Sequence, residues 1–86
     1  MLKIQLTNET LYRKVRTMAN KKRFRILELT QERARSITAL AKEIDLAYTK
    51  CADYVTMLEK EKLVSKTREG RETLVKATVS LKGIRL

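Results

Sequence analysis

The feature that most constrains this 86-residue chain is a pair of amphipathic segments with only a few residues between them. Ile37, Leu40, Ala41 and Ile44 follow the i, i+3, i+4, i+7 spacing that aligns one face of an α-helix, and Ser36 stands where a side-chain oxygen caps such a helix. Asp45 marks a break that must be short and sharp, because aspartate is among the few residues besides glycine that tolerate a left-handed backbone. A second helical pattern runs from about Ala47 to Glu61, with Ala47, Cys51, Val55 and Leu58 on its apolar side and Tyr54 at the margin. Thr49, Lys50, Asp53, Thr56 and Lys60 occupy the other side, so inward packing of one face leaves charged and hydrogen-bonding groups toward solvent.

The flanking segments narrow the architecture further. Leu2, Ile4 and Leu6 alternate with polar residues, the pattern of a short half-buried strand or of a frayed tail. From Asn8 to about Met18, Leu11, Val15 and Met18 recur at helical spacing; this stripe is either extra core or a dimerisation surface, and the second reading is preferred. Asn20 is a further N-cap candidate, opening a helix through Phe24, Ile26, Leu27 and Leu29. Its apolar positions spread around much of the circumference, so it is enclosed by the core or by a partner chain. After the charged connector and the two central helices, Leu63–Thr67 and Thr73–Ser80 are rich in Val, Leu and Thr. With Arg68 to Glu72 between them, they read as a β-hairpin. The expected class is mainly α with a small hairpin (α+β), in one domain over residues 1–86: an N-terminal part (1–19), a helical core (20–62) and the hairpin (63–80).

Charge indicates the class of partner. The chain carries 20 Lys and Arg against 10 Asp and Glu, a formal net charge of +10, which makes polyanions the natural ligands. The excess is uneven: residues 1–35 hold ten basic and three acidic residues (net +7), residues 36–86 ten basic and seven acidic (net +3). Arg13, Lys14, Arg16, Lys21, Lys22, Arg23 and Arg25 form a stretch without any acidic residue, either a clamp on a phosphate backbone or a solvated helix face.

Other functions are disfavoured. There is no histidine and a single cysteine, so neither an intrachain disulfide nor a Cys/His zinc site is expected. No paired carboxylates, phosphate-binding glycine loop or metal-ligand cluster is apparent, and neither an enzyme nor a cofactor is expected. Cys51 reads as a small buried hydrophobe; a redox sensor would need it exposed beside a cation. Apolar runs fall well short of the roughly 20 residues that cross a bilayer, and the first residues lack the core of a secretion signal. A cytoplasmic location, associated with the nucleoid and not with a membrane, is expected.

Helix, helix, sharp turn, helix and two-stranded ribbon, in that order, make the physical recipe for a winged helix-turn-helix. The residues themselves resemble the winged-helix transcriptional regulators of the ArsR and MarR type over roughly residues 20 to 83. The resemblance is carried by Arg23-Phe24-Arg25-Ile26-Leu27-Glu28-Leu29 and by Ser36-Ile37-Thr38-Ala39-Leu40-Ala41-Lys42-Glu43-Ile44. It continues through Val55-Thr56-Met57-Leu58-Glu59-Lys60-Glu61-Lys62-Leu63-Val64 and Ser80-Leu81-Lys82-Gly83. Asp45 and Lys62 depart from the glycines usual there, and Asp53 from a basic or small polar residue.

By position, the resemblance implies that Tyr48, Thr49, Lys50, Asp53 and Tyr54, with Thr56 or Lys60 further along, meet double-stranded DNA. Thr49 and Lys50 would donate to base edges or phosphates and Tyr48 to a phosphate; Asp53 either accepts from a cytosine amine or pairs with a neighbouring lysine. Lys21, Lys22 and Ser36 complete the DNA-facing candidates on the helical side. In the hairpin, Arg68 and Arg71 flank Gly70 and would enter a minor groove, unless the tip is merely solvated; Lys66 and Lys76 are lesser candidates. The expected function is a regulator, a repressor acting as a homodimer on a palindromic site. The alternative is an architectural or segregation protein that coats DNA and recruits a protein partner. A winged helix that binds only protein leaves the positive charge unused.

Overall fold

The computed structural model of the chain describes residues 8–82; the alternating segment at residues 2–6 lies outside them. In order, the elements are α1 (Asn8–Met18), α2 (Lys21–Leu29), β1 (Arg35–Ser36), α3 (Ile37–Glu43), α4 (Tyr48–Lys60), β2 (Val64–Glu69) and β3 (Glu72–Ala77). The strands form one antiparallel sheet in the order β1-β3-β2, with Ser36 opposite Leu74 and Val64 opposite Ala77. The two-residue β1 joins the end of the charged connector to the Ser36 cap, where the resemblance to winged-helix regulators implies a short strand before the support helix.

Local chemistry sets each helix boundary. Asn20 opens α2, its side-chain oxygen accepting from the backbone N–H groups of Lys22 (2.9 Å) and Arg23 (3.0 Å). Ser36 opens α3 in the same way, accepting from the Ala39 N–H at 3.0 Å. These are the side-chain caps that serve the otherwise unpaired first N–H groups of a helix. α4 differs: Ala47 is its N-cap and provides no side-chain bond. Ala47 is also exposed, which corrects its assignment to the apolar side, since a residue outside the first turn no longer follows the helical period.

α3 and α4 end alike. The Leu46 N–H bonds to the Ala41 carbonyl (2.9 Å) and the Asp45 N–H to that of Lys42 (3.4 Å), while the Leu63 N–H bonds to Leu58 (2.9 Å) and the Lys62 N–H to Glu59 (2.8 Å). These nested bonds are Schellman motifs, which require a left-handed residue just past the helix. Asp45 (φ 58°) and Lys62 (φ 61°) supply it, where glycine would do so without strain. In addition, the Lys22 ammonium donates to the Ile44 carbonyl at 3.0 Å, placing a cation against the C-terminal end of α3.

Packing converges on a single core of Ile26, Leu27, Ile37, Leu40, Ala41, Ile44, Cys51, Val55, Leu58, Leu63, Val64 and Val75. The α3 stripe and the Cys51, Val55 and Leu58 row of α4 are buried as their spacing predicts. In α2, Ile26 and Leu27 are buried whereas Phe24 and Leu29 are half-buried. Buried Thr30 donates its hydroxyl to the Ile26 carbonyl (2.8 Å), and its own carbonyl accepts from the Ala77 N–H (3.1 Å), joining α2 to β3. Gln31, just past the end of α2, is a hub: its amide nitrogen donates to the carbonyls of Leu27 and Val79 and its amide oxygen accepts from the Leu81 N–H.

The hairpin is tighter than its composition suggests. Its strands run to Glu69 and Glu72, leaving Gly70 and Arg71 as a two-residue turn, in place of a five-residue separation. Gly70 alone in that turn has positive φ (63°), the requirement at the first position of a type II′ turn. β3 stops at Ala77, short of Ser80, because β2 begins only at Val64, opposite Ala77. Beyond that pair, the Thr78 N–H turns to the Leu63 carbonyl and its hydroxyl to that of Lys62.

Two consequences follow for stability. Lys62→Gly removes left-handed strain and is expected to raise the thermal midpoint by roughly 2–8 °C, the gain being reduced by the greater chain entropy of glycine; a lower midpoint in calorimetry would show that the lysine is not strained. Burial pushes the Cys51 thiol above its ordinary value of 9.0. An acid whose pKa is raised by folding stabilises the fold below its unfolded value, and that stabilisation is lost as pH rises beyond it. From about pH 9 upward, therefore, the parent chain should lose stability faster than Cys51→Ala in parallel urea titrations, and coincident pH profiles would refute the assignment.

Candidate nucleic-acid interface

Burying Cys51, Val55 and Leu58 forces the opposite side of α4 outward. Thr49, Asp53, Thr56 and Lys60 are all exposed, and at successive offsets of four, three and four residues they form one stripe. Asp53 makes no ion pair among the described residues, so pairing with a lysine, one of the two readings of this residue, is not what the fold adopts. Tyr48 is exposed in the first turn, which contains no acidic residue and has no side-chain cap. Those first N–H groups and the positive end of the helix dipole are therefore directed at solvent.

Tyr54 behaves differently from its neighbours. It is half-buried and packs against the core, with the Lys50 ammonium and the Arg23 guanidinium each 5.1 Å from its ring centroid. Both distances lie within cation–π range, so the ring is a platform that orients a lysine of α4 and an arginine of α2. Arg23 is held further by its Nε donating to the Thr17 carbonyl at 2.7 Å. The α2 candidates separate: both are exposed, but the Lys22 ammonium is bonded to the end of α3. Ser36 uses its oxygen as the α3 cap and is half-buried, leaving its hydroxyl proton to donate.

On the hairpin, every residue of β2 after Val64 is exposed, so the ribbon projects past the core. Arg68 folds its Nε onto the Gly70 carbonyl at 3.2 Å, while Arg71 is exposed with no such contact. Lys66 pairs with Glu59 of α4 (3.2 Å) and Lys76 donates to the Gln31 carbonyl (2.9 Å). These two lysines brace the hairpin against the body of the domain, which sets them apart from Arg68 and Arg71.

α1 carries the remaining predicted surface. Leu11 and Val15 are 49% and 51% exposed, and Met18 packs on the core, so the stripe is divided between core and solvent. Tyr12, 61% exposed beside them, was not singled out by the helical period because it falls off the stripe. Among the described residues no cluster of three or more His, Cys, Asp or Glu could hold a metal ion, and no helix is long and apolar enough to cross a membrane.

No curated protein matches the chain in sequence. Among solved structures, reduced HlyU from Vibrio cholerae superposes with a TM-score of 0.77 at 18% identity, over 83% of this chain and 75% of that one. Mb0332 from Mycobacterium bovis, described as a homodimeric winged helix-turn-helix DNA-binding domain of a possible ArsR-family transcriptional regulator, gives 0.77 at 24% identity, over 83% of this chain and 66% of that fragment. NolR from Sinorhizobium fredii gives 0.76 at 22% identity, over 90% and 83% of the two chains. The fold is thus a winged helix-turn-helix, with β2 and β3 as the wing. A family profile described as HVO_A0114 matches residues 11–85, and the chain belongs to that family.

Proposed function

We propose that this chain is a transcriptional regulator, a repressor, which binds double-stranded DNA as a homodimer on a roughly palindromic site in the cytoplasm. The observation that carries this reading is the exposed α4 stripe, unpaired and backed by a rigid buried row, on a fold shared with transcriptional regulators. Side chains held on a packed helix can read base edges in a major groove, because their positions are set before binding. Thr49, Lys50 and Asp53 are the base-reading set, Tyr48 and Lys21 meet phosphates, and Arg71 at the wing tip reaches the neighbouring groove or backbone. Tyr54 acts through Lys50, whose ammonium it steers.

Homodimerisation rests on Leu11 and Val15, two large apolar side chains left half in water on consecutive turns of α1. A domain of this size buries a smaller fraction of its unfolded surface than a larger one does, so covering that stripe with a second copy also adds stability. The excess positive charge near α1 and α2 favours a second reading, in which the protein coats DNA with little sequence preference. Footprinting separates the two, since an operator gives one discrete protected stretch and coating gives spreading protection.

Selection of duplexes from a random pool by the intact chain should enrich one palindrome. On that site Lys50→Ala should weaken binding by about 10–100-fold and relax preference at one base pair, while Arg71→Gln should weaken all sequences alike and lower the salt slope by about 1. Amide signals of Thr49, Lys50 and Asp53 unmoved by duplex DNA would rule the reading out. Val15→Glu should shift the chain from dimer to monomer in sedimentation equilibrium and abolish discrete protection of the palindrome; an unchanged dimer would place the interface elsewhere.

A further inference from the structure

One open cleft of about 340 Å³ lies where α1, the start of α2 and the end of α4 meet, lined by Arg13, Arg16, Thr17, Arg23, Met57, Lys60 and Glu61. Four of these seven residues are cations and one is an anion. The single carboxylate faces Arg13, which is 4.0 Å from Glu61 and 3.2 Å from Glu9. Arg16, Arg23 and Lys60 make no ion pair among the described residues. Three positive charges without an ion pair thus surround one concavity whose single carboxylate faces Arg13, leaving a net excess of positive charge that an anion would relieve.

Arg23 makes the cleft more than a solvated basic surface. The residue is half-buried, and its guanidinium is held by the Thr17 carbonyl through Nε (2.7 Å), by the Met57 Sδ (3.5 Å) and by the Tyr54 ring (5.1 Å). None of these partners is anionic, so the side chain is ordered in advance while its charge stays unneutralised. Pre-ordered guanidinium forks match the several acceptor oxygens of a phosphate group better than a lone carboxylate does, and three uncompensated charges suit a multiply charged ligand. The volume is at the lower end of the range for small-ligand sites.

We propose that this cleft is a phosphate-binding site, with Arg16, Arg23 and Lys60 as its ligating cations. Arg23 is the fixed element; Arg16 and Lys60 close on the anion from α1 and α4. Two sources supply the same chemistry: a phosphodiester of a DNA strand, or a free phosphorylated small molecule. Lys60 belongs both to the cleft and to the outward stripe of α4, so occupancy by a free phosphate withdraws one cation from the DNA-facing side. The site itself does not depend on the DNA-binding reading.

The test follows the arginine Nε–H signals of the intact ¹⁵N-labelled chain during titration with inorganic pyrophosphate at constant ionic strength, with acetate as the monoanion control. Saturable shifts of Arg16 and Arg23 are expected, with Arg16→Gln or Lys60→Gln weakening pyrophosphate by about tenfold or more, and with the equally charged control Lys42→Gln leaving it unchanged. Backbone amide spectra verify that the variants stay folded. In a second arm, duplex DNA is added: competition with pyrophosphate for the Arg23 signal identifies a strand phosphate as the natural occupant, and binding without competition identifies a small phosphorylated ligand. If neither pyrophosphate nor duplex moves Arg16 and Arg23, or if Lys42→Gln weakens pyrophosphate as much as Lys60→Gln does, the site is refuted. Failure of the DNA-binding reading shows separately, at the amides of Thr49, Lys50 and Asp53.

Discussion

Cys51, Val55 and Leu58 are fully buried between α3 and the sheet, and the rest of the molecule's exposed chemistry takes its orientation from them. A helix anchored by residues four and then three apart has no rotational freedom left, so its opposite residues are presented at fixed azimuth. For a group that must meet a base edge within hydrogen-bond distance, rigidity at this level matters more than the intrinsic strength of the contact. On the proposed DNA-binding reading, Leu58 and Cys51 act on recognition at a distance, by keeping Thr49 and Asp53 where they are.

The anchored helix is in turn delimited by two left-handed residues, Asp45 before it and Lys62 after it. Glycine at these positions would relieve the strain but would loosen the unfolded chain and the turns alike. The fold compensates by adding partners around the same turns. Lys22 closes the carbonyl end of α3, and Thr78 donates to the Lys62 carbonyl at 2.8 Å, so that the residue just past the wing's return strand secures the exit from α4. Gln31 performs the equivalent role on the other side, tying the end of α2 to the segment that follows β3. Helix, turn and wing thus form one mechanical unit.

Much of this unit was legible in the residues because it rests on local periodicity and local caps. The stripes of α3 and α4, the caps at Asn20 and Ser36, and the left-handed turn at Asp45 each depend on side chains within a few positions of one another. What could not be read depends on chain segments far apart. Nothing near Gln31 reveals that its amide meets Val79 and Leu81; nothing in Arg35-Ser36 reveals a partner strand at Leu74 and Val75. In the candidate site, the outward positions of Thr49, Lys50 and Asp53 followed from the helical period. The tasks of individual lysines did not, since Lys22, Lys66 and Lys76 are indistinguishable in sequence from Lys21 until their ammonium groups are seen on carbonyls or a carboxylate.

That sorting of cations changes what the positive charge means. A formal +10 suggests a diffuse attraction for any polyanion, yet a sizeable part of the basic set is committed within the fold. Lys14 donates to the Glu61 carbonyl, Lys22 caps α3, Arg25 pairs with Glu28 and Lys66 with Glu59. Exposed pairs of this kind contribute little to stability, but each one fixes where a long side chain lies and removes it from the diffuse pool. Cations without an ion pair among the described residues remain on the outward side of α4, at the wing tip (Arg71), in the cleft (Arg16, Arg23, Lys60) and at other exposed positions such as Lys21 and Lys42. Long-range attraction depends on the total charge and is screened by salt within about 10 Å, whereas discrimination between ligands depends on these few free groups and the atoms that hold them. The committed lysines thus hold part of the positive charge in fixed places, and the basic surface is patterned in place of uniform.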